Sequence, residues 1–144
     1  MFAGPDAPEN LAAALSLVQQ DHRRLGELWQ AMVLTLETED VSLFRDSVAA
    51  LLSYARAHFR NEEWVMRLAD YPAYADHKAE HDRLLSDAED MLHNLDVAFV
   101  PPDWPAVAAF FRHWLNKHAR TADADLRAHL RDRIGGEESS LRVS

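Results

Sequence analysis

The feature that most constrains this chain is a set of apolar stripes whose steps alternate between three and four residues, interrupted by histidines. The first stripe is Leu15, Val18, His22, Leu25, Trp29, Met32, Leu36. The second is Val41, Phe44, Val48, Leu51, Ala55, His58, Glu62, Val65, Ala69, and the third Tyr74, His77, His81, Leu84, Ala88, Met91, Leu95. Such steps keep side chains on one face of an α-helix and make the seam of a packed bundle. Asn10 reads as the N-cap of the first helix, behind an extended lead-in with Pro5 and Pro8. Thr38 to Asp40 reads as a polar turn, Pro72 as a break between the second and third helices, and the segment 96–103 with Pro101 and Pro102 as a loop. Asp103 is positioned to cap a fourth helix, with Pro105 tolerated in its first turn.

The fourth stripe begins Trp104, Ala108, Phe111, Leu115, His118 and then slips. At about 100° per residue, Leu126 and Leu130 lie about 80° and 120° off the face of His118. Counted from Asp123 they return to one face together with Ile134. An extra residue accommodated between His118 and Asp123, as in a π-bulge, would put both on the seam. Gly135 and Gly136 read as a helix stop. The expected organisation is an all-α, up-down-up-down antiparallel four-helix bundle over residues 1–134, with a metal site in its core, and a flexible C-terminal tail over 135–144.

Five of the eight histidines fall in seams: His22, His58, His77, His81 and His118. One seam histidine is ordinarily a satisfied core residue. Five in one core, beside a Glu62 that has no basic partner in its seam, call for a cation, because a buried unpaired carboxylate is costly. His93, His113 and His129 fall outside the seams and are expected at the surface, as is Glu63. The chain has no cysteine, so a metal must be held by imidazole and carboxylate, which suits iron, zinc, copper or manganese. Five imidazoles and two carboxylates, Glu62 and Asp123, exceed the four ligands of a tetrahedral zinc site and suit two adjacent metals with the carboxylates bridging.

A net charge of −9 argues against a nucleic-acid partner and weakly favours a monomer. No apolar run approaches the roughly 20 residues that span a bilayer. The N-terminal residues lack a basic region followed by an apolar core, so a cytoplasmic location is expected.

These residues carry a resemblance. His22, H-F-R-N-E-E-W-V-M from His58, Y-P-A-Y-A-D-H-K-A-E-H ending at His81 and W-L-N-K-H-A-R-T-A-D from Trp114 to Asp123 resemble the hemerythrins, most closely their bacterial single-domain members. The resemblance implies a non-haem di-iron centre: two iron ions, Fe2+ or Fe3+, joined by Glu62, Asp123 and an oxo or hydroxo bridge. It implies that His77, His81 and His118 saturate one iron. His22 and His58 hold the other, where dioxygen binds end-on as hydroperoxide. Leu25, Phe59, Trp114, Leu115 and Ala119 resemble the apolar lining of the oxygen pocket. The implied function is reversible dioxygen binding, as a carrier or store rather than an enzyme. The rivals are an oxygen-sensing module and a di-iron enzyme reducing peroxide or nitric oxide. Three positions depart from the family pattern: Ala119 stands where a large aliphatic residue is common, Gln19-Gln20-Asp21 replaces Asp-x-Gln, and Leu126 replaces an aromatic residue. Smaller side chains beside the pocket leave space for water.

Overall fold

The computed structural model describes residues 11–97, 102–114 and 116–143, with side chains over 11–95, 102–114 and 116–135. Asn10 and the lead-in before it, the proline pair's Pro101 and the pocket candidate Leu115 lie outside the described residues. Helices α1 (Leu11–Leu36), α2 (Val41–Leu68) and α3 (Tyr74–Val97) form three arms. The fourth arm is built from α4 (Trp104–Trp114), α5 (Asn116–Arg120) and α6 (Ala122–Val143). There is no strand among the described residues, and no described helix is long and apolar enough to cross a membrane.

The core is divided into two apolar layers. One holds Leu25, Met32, Phe44, Leu51, Leu84, Phe111 and their neighbours. The other holds Leu15, Val18, Val65, Met66, Leu126 and Leu130. Helix α1 runs from the second layer to the first, α2 from the first to the second, α3 back again, and the fourth arm from the first to the second. The alternation is the expected up-down-up-down bundle. Every arm crosses the gap between the layers, and each crosses it where its stripe carries His, Glu or Asp.

Local chemistry sets where the arms turn. The Asp40 carboxylate accepts from the Leu43 N–H at 3.1 Å, and Asp103 accepts from the Ala106 N–H at 3.2 Å, so both act as N-caps. At the end of α2 the Tyr71 N–H bonds to the Met66 carbonyl and the Asp70 N–H to the Arg67 carbonyl. This is a Schellman closure, with Asp70 at φ 51° in the left-handed position that glycine usually fills. Pro72 then prevents the helix from continuing, and α3 returns beside α2.

The expected slip in the fourth arm is present, but as an interruption rather than a bulge inside one helix. Helix α5 closes at Arg120, Thr121 is a turn residue, and α6 opens at Ala122. Both the hydroxyl and the N–H of Thr121 donate to the Lys117 carbonyl, at 2.8 and 3.1 Å. A threonine hydroxyl competing for the carbonyl four residues back is a known cause of bending. The glycine stop is not realised. Gly135 has no left-handed φ, and α6 continues through the pair to Val143. Glycine disfavours a helix interior by about 1 kcal/mol, which neighbours can override.

Gly26 sits mid-helix in α1, exposed, where an added Cβ would meet nothing within 4 Å. Gly26→Ala therefore removes a backbone entropy cost without a clash. The expected result is a gain of about 0.5–1 kcal/mol in unfolding free energy, measured by urea titration.

Candidate metal centre

All four arms contribute to the layer between the apolar clusters: His22 from α1, His58 and Glu62 from α2, His77 and His81 from α3, His118 from α5 and Asp123 from α6. His58, Glu62, His77, His81, His118 and Asp123 are buried. His22 is the exception to the sequence expectation of a core position, since its side chain is 36% exposed. Its ring sits at the rim, with its centroid 5.8 Å from that of His58.

The two carboxylates divide the imidazoles into two groups. Glu62 Oε1 lies 2.6 Å from His77 Nε2 and 3.1 Å from His81 Nε2, while its Oε2 lies 3.3 Å from His58 Nε2. Asp123 Oδ1 lies 2.9 Å from His118 Nε2 and 3.2 Å from His77 Nε2, while its Oδ2 lies 3.3 Å from His22 Nε2. Each carboxylate thus turns one oxygen to the group His77, His81 and His118 and the other to the pair His22 and His58. One donor atom each from Glu62, His77, His81, His118 and Asp123 falls within 4.8 Å of all the others.

The donor set fits cations better than it fits hydrogen bonding. His58 Nε2, His77 Nε2 and Asp123 Oδ1 are buried and make no hydrogen bond of proper angle, despite close neighbours. His81 Nε2 and His118 Nε2 face each other at 3.1 Å. Apart from a bond between His81 Nε2 and Glu62 Oε1 at 3.1 Å, these nitrogens and oxygens converge without directed hydrogen bonds, an arrangement in which a metal can satisfy them.

Charge reinforces this. Burial pushes the His58 imidazole down, but the Asp21 and Glu62 carboxylates outweigh it and hold it at about 9. Burial acts on His77 in the same way, and Asp123 and Glu62 raise it to about 9. Burial pushes Glu62 up, and its contacts with His58, His77 and His81 hold it well below the ordinary carboxylate range. Asp123 is likewise depressed: His118, His22 and His77 outweigh its burial. Both carboxylates are therefore ionised, and without a cation His58 and His77 take up protons.

A second ring of acids was missed by sequence reasoning. Glu63, expected to face solvent, is only 12% exposed and places Oε2 2.8 Å from His81 Nδ1. Glu80 Oε1 lies 3.0 Å from His118 Nδ1. Asp21 Oδ2 lies 3.8 Å from His58 Nδ1, too long for a hydrogen bond. Asp21 is itself held by Asn61 Nδ2 at 3.1 Å and the Tyr54 hydroxyl at 3.3 Å. Each of these acids stands next in sequence to a ligand-type residue on its own helix and serves a ring on a neighbouring arm. Periodicity within one helix cannot reveal that. Such partners orient a ligating imidazole and raise its basicity.

Other expectations resolve individually. His93 and His113 are exposed, as expected. His129 is half-buried instead, 3.3 Å from the Ala69 carbonyl, where its ring closes the end of α2. Of the pocket candidates, Leu25 and Ala119 line a cleft of about 360 Å³ that reaches His22. Phe59 lies flat on His81, with centroids 4.0 Å apart and planes 6° apart. Trp114 is buried and donates its indole N–H to the Leu84 carbonyl at 2.8 Å. Neither of these two aromatics is among the described residues lining the cleft.

A four-helix bundle with imidazoles and ionised carboxylates converging in a buried layer defines a helical cation-binding protein. A family model, the hemerythrin HHE cation binding domain, matches residues 13–141. The chain belongs to the hemerythrin family. It is similar to the hemerythrin of Themiste dyscrita, 25% identical over 115 residues that cover 80% of this chain and 84% of that one. It is also similar to the bacteriohemerythrin of Methylococcus capsulatus (strain Bath), 28% identical over 111 residues covering 76% of this chain and 82% of the relative. No solved structure matches it significantly.

The pKa shifts set a pH dependence for the metal-free chain. His58 and His77, raised from 6.5 to about 9, contribute stability that is fully present below 6.5 and lost as pH climbs through 9. Glu62 and Asp123, depressed from 4.5 and 3.8, contribute stability present above those values and lost as pH falls further. Urea titrations at stepped pH should show the unfolding free energy of the metal-free chain falling between pH 6.5 and 9. With metal bound, the cation takes the place of those protons, and the decline in that window should disappear.

Proposed function

We propose that this protein binds dioxygen reversibly at a non-haem di-iron centre, as a carrier or store and not as an enzyme. The observation that carries the reading is the division of the imidazoles, three and two, about carboxylates that turn one oxygen to each group. On this reading His77, His81 and His118 hold one iron, His22 and His58 hold the other, and Glu62 and Asp123 bridge them. Two irons bound there supply reversible two-electron exchange with dioxygen.

The chain's own residues have three tasks. The group of three rings closes one end of the centre, with Phe59 stacked against it. The pair leaves a side open where His22 meets the cleft, and Leu25 and Ala119 shape the approach for dioxygen. Glu63, hydrogen-bonded to His81, holds that ring in place from behind, and Glu80 and Asp21 set negative charge behind His118 and His58. Leu25 also keeps part of the approach apolar, which slows entry of water and protons. The expectation of a monomer without a nucleic-acid partner rests on acidic composition.

The deciding measurement is the visible spectrum of anaerobically reduced, iron-loaded protein as oxygen is admitted and then removed. A charge-transfer band that appears and then disappears is expected. A band that never reverses would favour the enzymatic rival, and no band from a folded, metal-bound protein would overturn the reading. In the same assay Ala119→Ile should slow autoxidation severalfold, because it narrows the wet approach to His22. An unchanged rate would remove Ala119 from the pocket's function.

A further inference from the structure

The cleft beside His22 is much larger than dioxygen requires. Its volume is about 360 Å³, whereas a water molecule occupies only about 30 Å³ in the liquid. It reaches the lower end of the range for small-molecule sites. Two small residues open it: Gly26 on α1, where an added Cβ would meet nothing within 4 Å, and Ala119 on α5.

Its lining is chemically lopsided. The apolar part comes from Leu25 and the Trp29 indole, whose N–H is already committed to the Phe111 carbonyl at 2.7 Å. The polar part at the fourth arm is Arg112 and Asn116. Arg112 makes no hydrogen bond or ion pair among the described residues, although the chain carries a net charge of −9. No carboxylate is among the described lining residues. A free guanidinium and an amide beside an indole face and a leucine match one negative charge with two acceptor oxygens on an apolar body. A phosphate dianion would find one cation and a largely apolar wall.

We infer that the cleft bounded by Gly26, Trp29, Arg112 and Asn116 is a binding site for a small apolar monocarboxylate, of the size of a single-ring or short-chain acid, held by Arg112. The site goes beyond the dioxygen reading and does not require it, since none of its recognition groups is assigned to the metals. An occupant would lie across the approach to His22, so its presence would also slow any ligand that enters there.

The test is calorimetric titration of the full, metal-loaded chain with benzoate and, separately, with benzyl alcohol. The Trp29 indole N–H resonance and the visible spectrum are followed in parallel. Benzoate should bind saturably and shift the Trp29 resonance, and benzyl alcohol should bind at least tenfold more weakly. Arg112→Met, which keeps the stem and removes the charge, should weaken benzoate at least tenfold. Gly26→Leu, which fills the cleft from an open helix position, should abolish it. Arg83→Met, outside the cleft, should leave it unchanged. Absence of saturable binding by roughly 10 mM benzoate would overturn the site. So would affinity unchanged in Arg112→Met, or a metal spectrum that shifts in proportion to occupancy, which would put the carboxylate on the metal. None of these outcomes depends on reversible oxygenation, so the two readings fail independently.

Discussion

The structure depends on placing two ionised carboxylates, Glu62 and Asp123, inside a helical core. Taking an ion out of water costs several kcal/mol, even after relaxation. That cost is tolerable here because opposite partners surround both groups. Four buried histidines and His22 at the rim lie within ion-pair reach of the two acids. The layer is sealed above and below by apolar clusters, which lower the local dielectric and strengthen every contact within it. The same sealing makes the layer intolerant of partial assembly, because an imidazole or carboxylate left without a partner there remains buried. The bundle and the centre are therefore one cooperative object.

Two backbone features bring these side chains together. The Schellman closure at Asp70 turns α3 back so that His77 and His81 face Glu62. The interruption at Thr121 rotates α6 relative to α5, so that His118 and Asp123, five residues apart, reach the same point at 2.9 Å. Residues five apart on an uninterrupted helix are turned well away from each other. Helical geometry thus yields at Thr121 so that a carboxylate can enter the layer from the fourth arm.

The centre is asymmetric. Three rings on α3 and α5 are buried, with outer carboxylates behind two of them, whereas the His22 side opens to a cleft. Two small residues, Gly26 and Ala119, set the width of that opening. Exposure of His22 is a local consequence of what does not pack against it, and the approach to the centre is shaped by absent side-chain volume as much as by groups present.

Much of this was legible in the chain itself. Steps of three and four located the arms, and histidines recurring within those stripes located the polar layer, because a helical period of 3.6 residues maps sequence spacing onto one face. The slip after His118 was visible in the same arithmetic. Contacts between arms were not. Glu63 was expected in solvent and instead meets His81, since the neighbour of a seam residue turns toward whichever arm lies beside it. The glycine pair did not stop α6, because a local cost of about 1 kcal/mol is within what the rest of a helix can override. Sequence alone therefore determined the bundle, its register and which His, Glu and Asp positions meet in the layer between the apolar clusters, all consequences of periodicity. Only the tertiary structure decided which acid supports which ring, that His22 lies at the rim, and that an arginine-lined cleft opens beside it. Those depend on distances between arms, which a one-dimensional pattern does not encode.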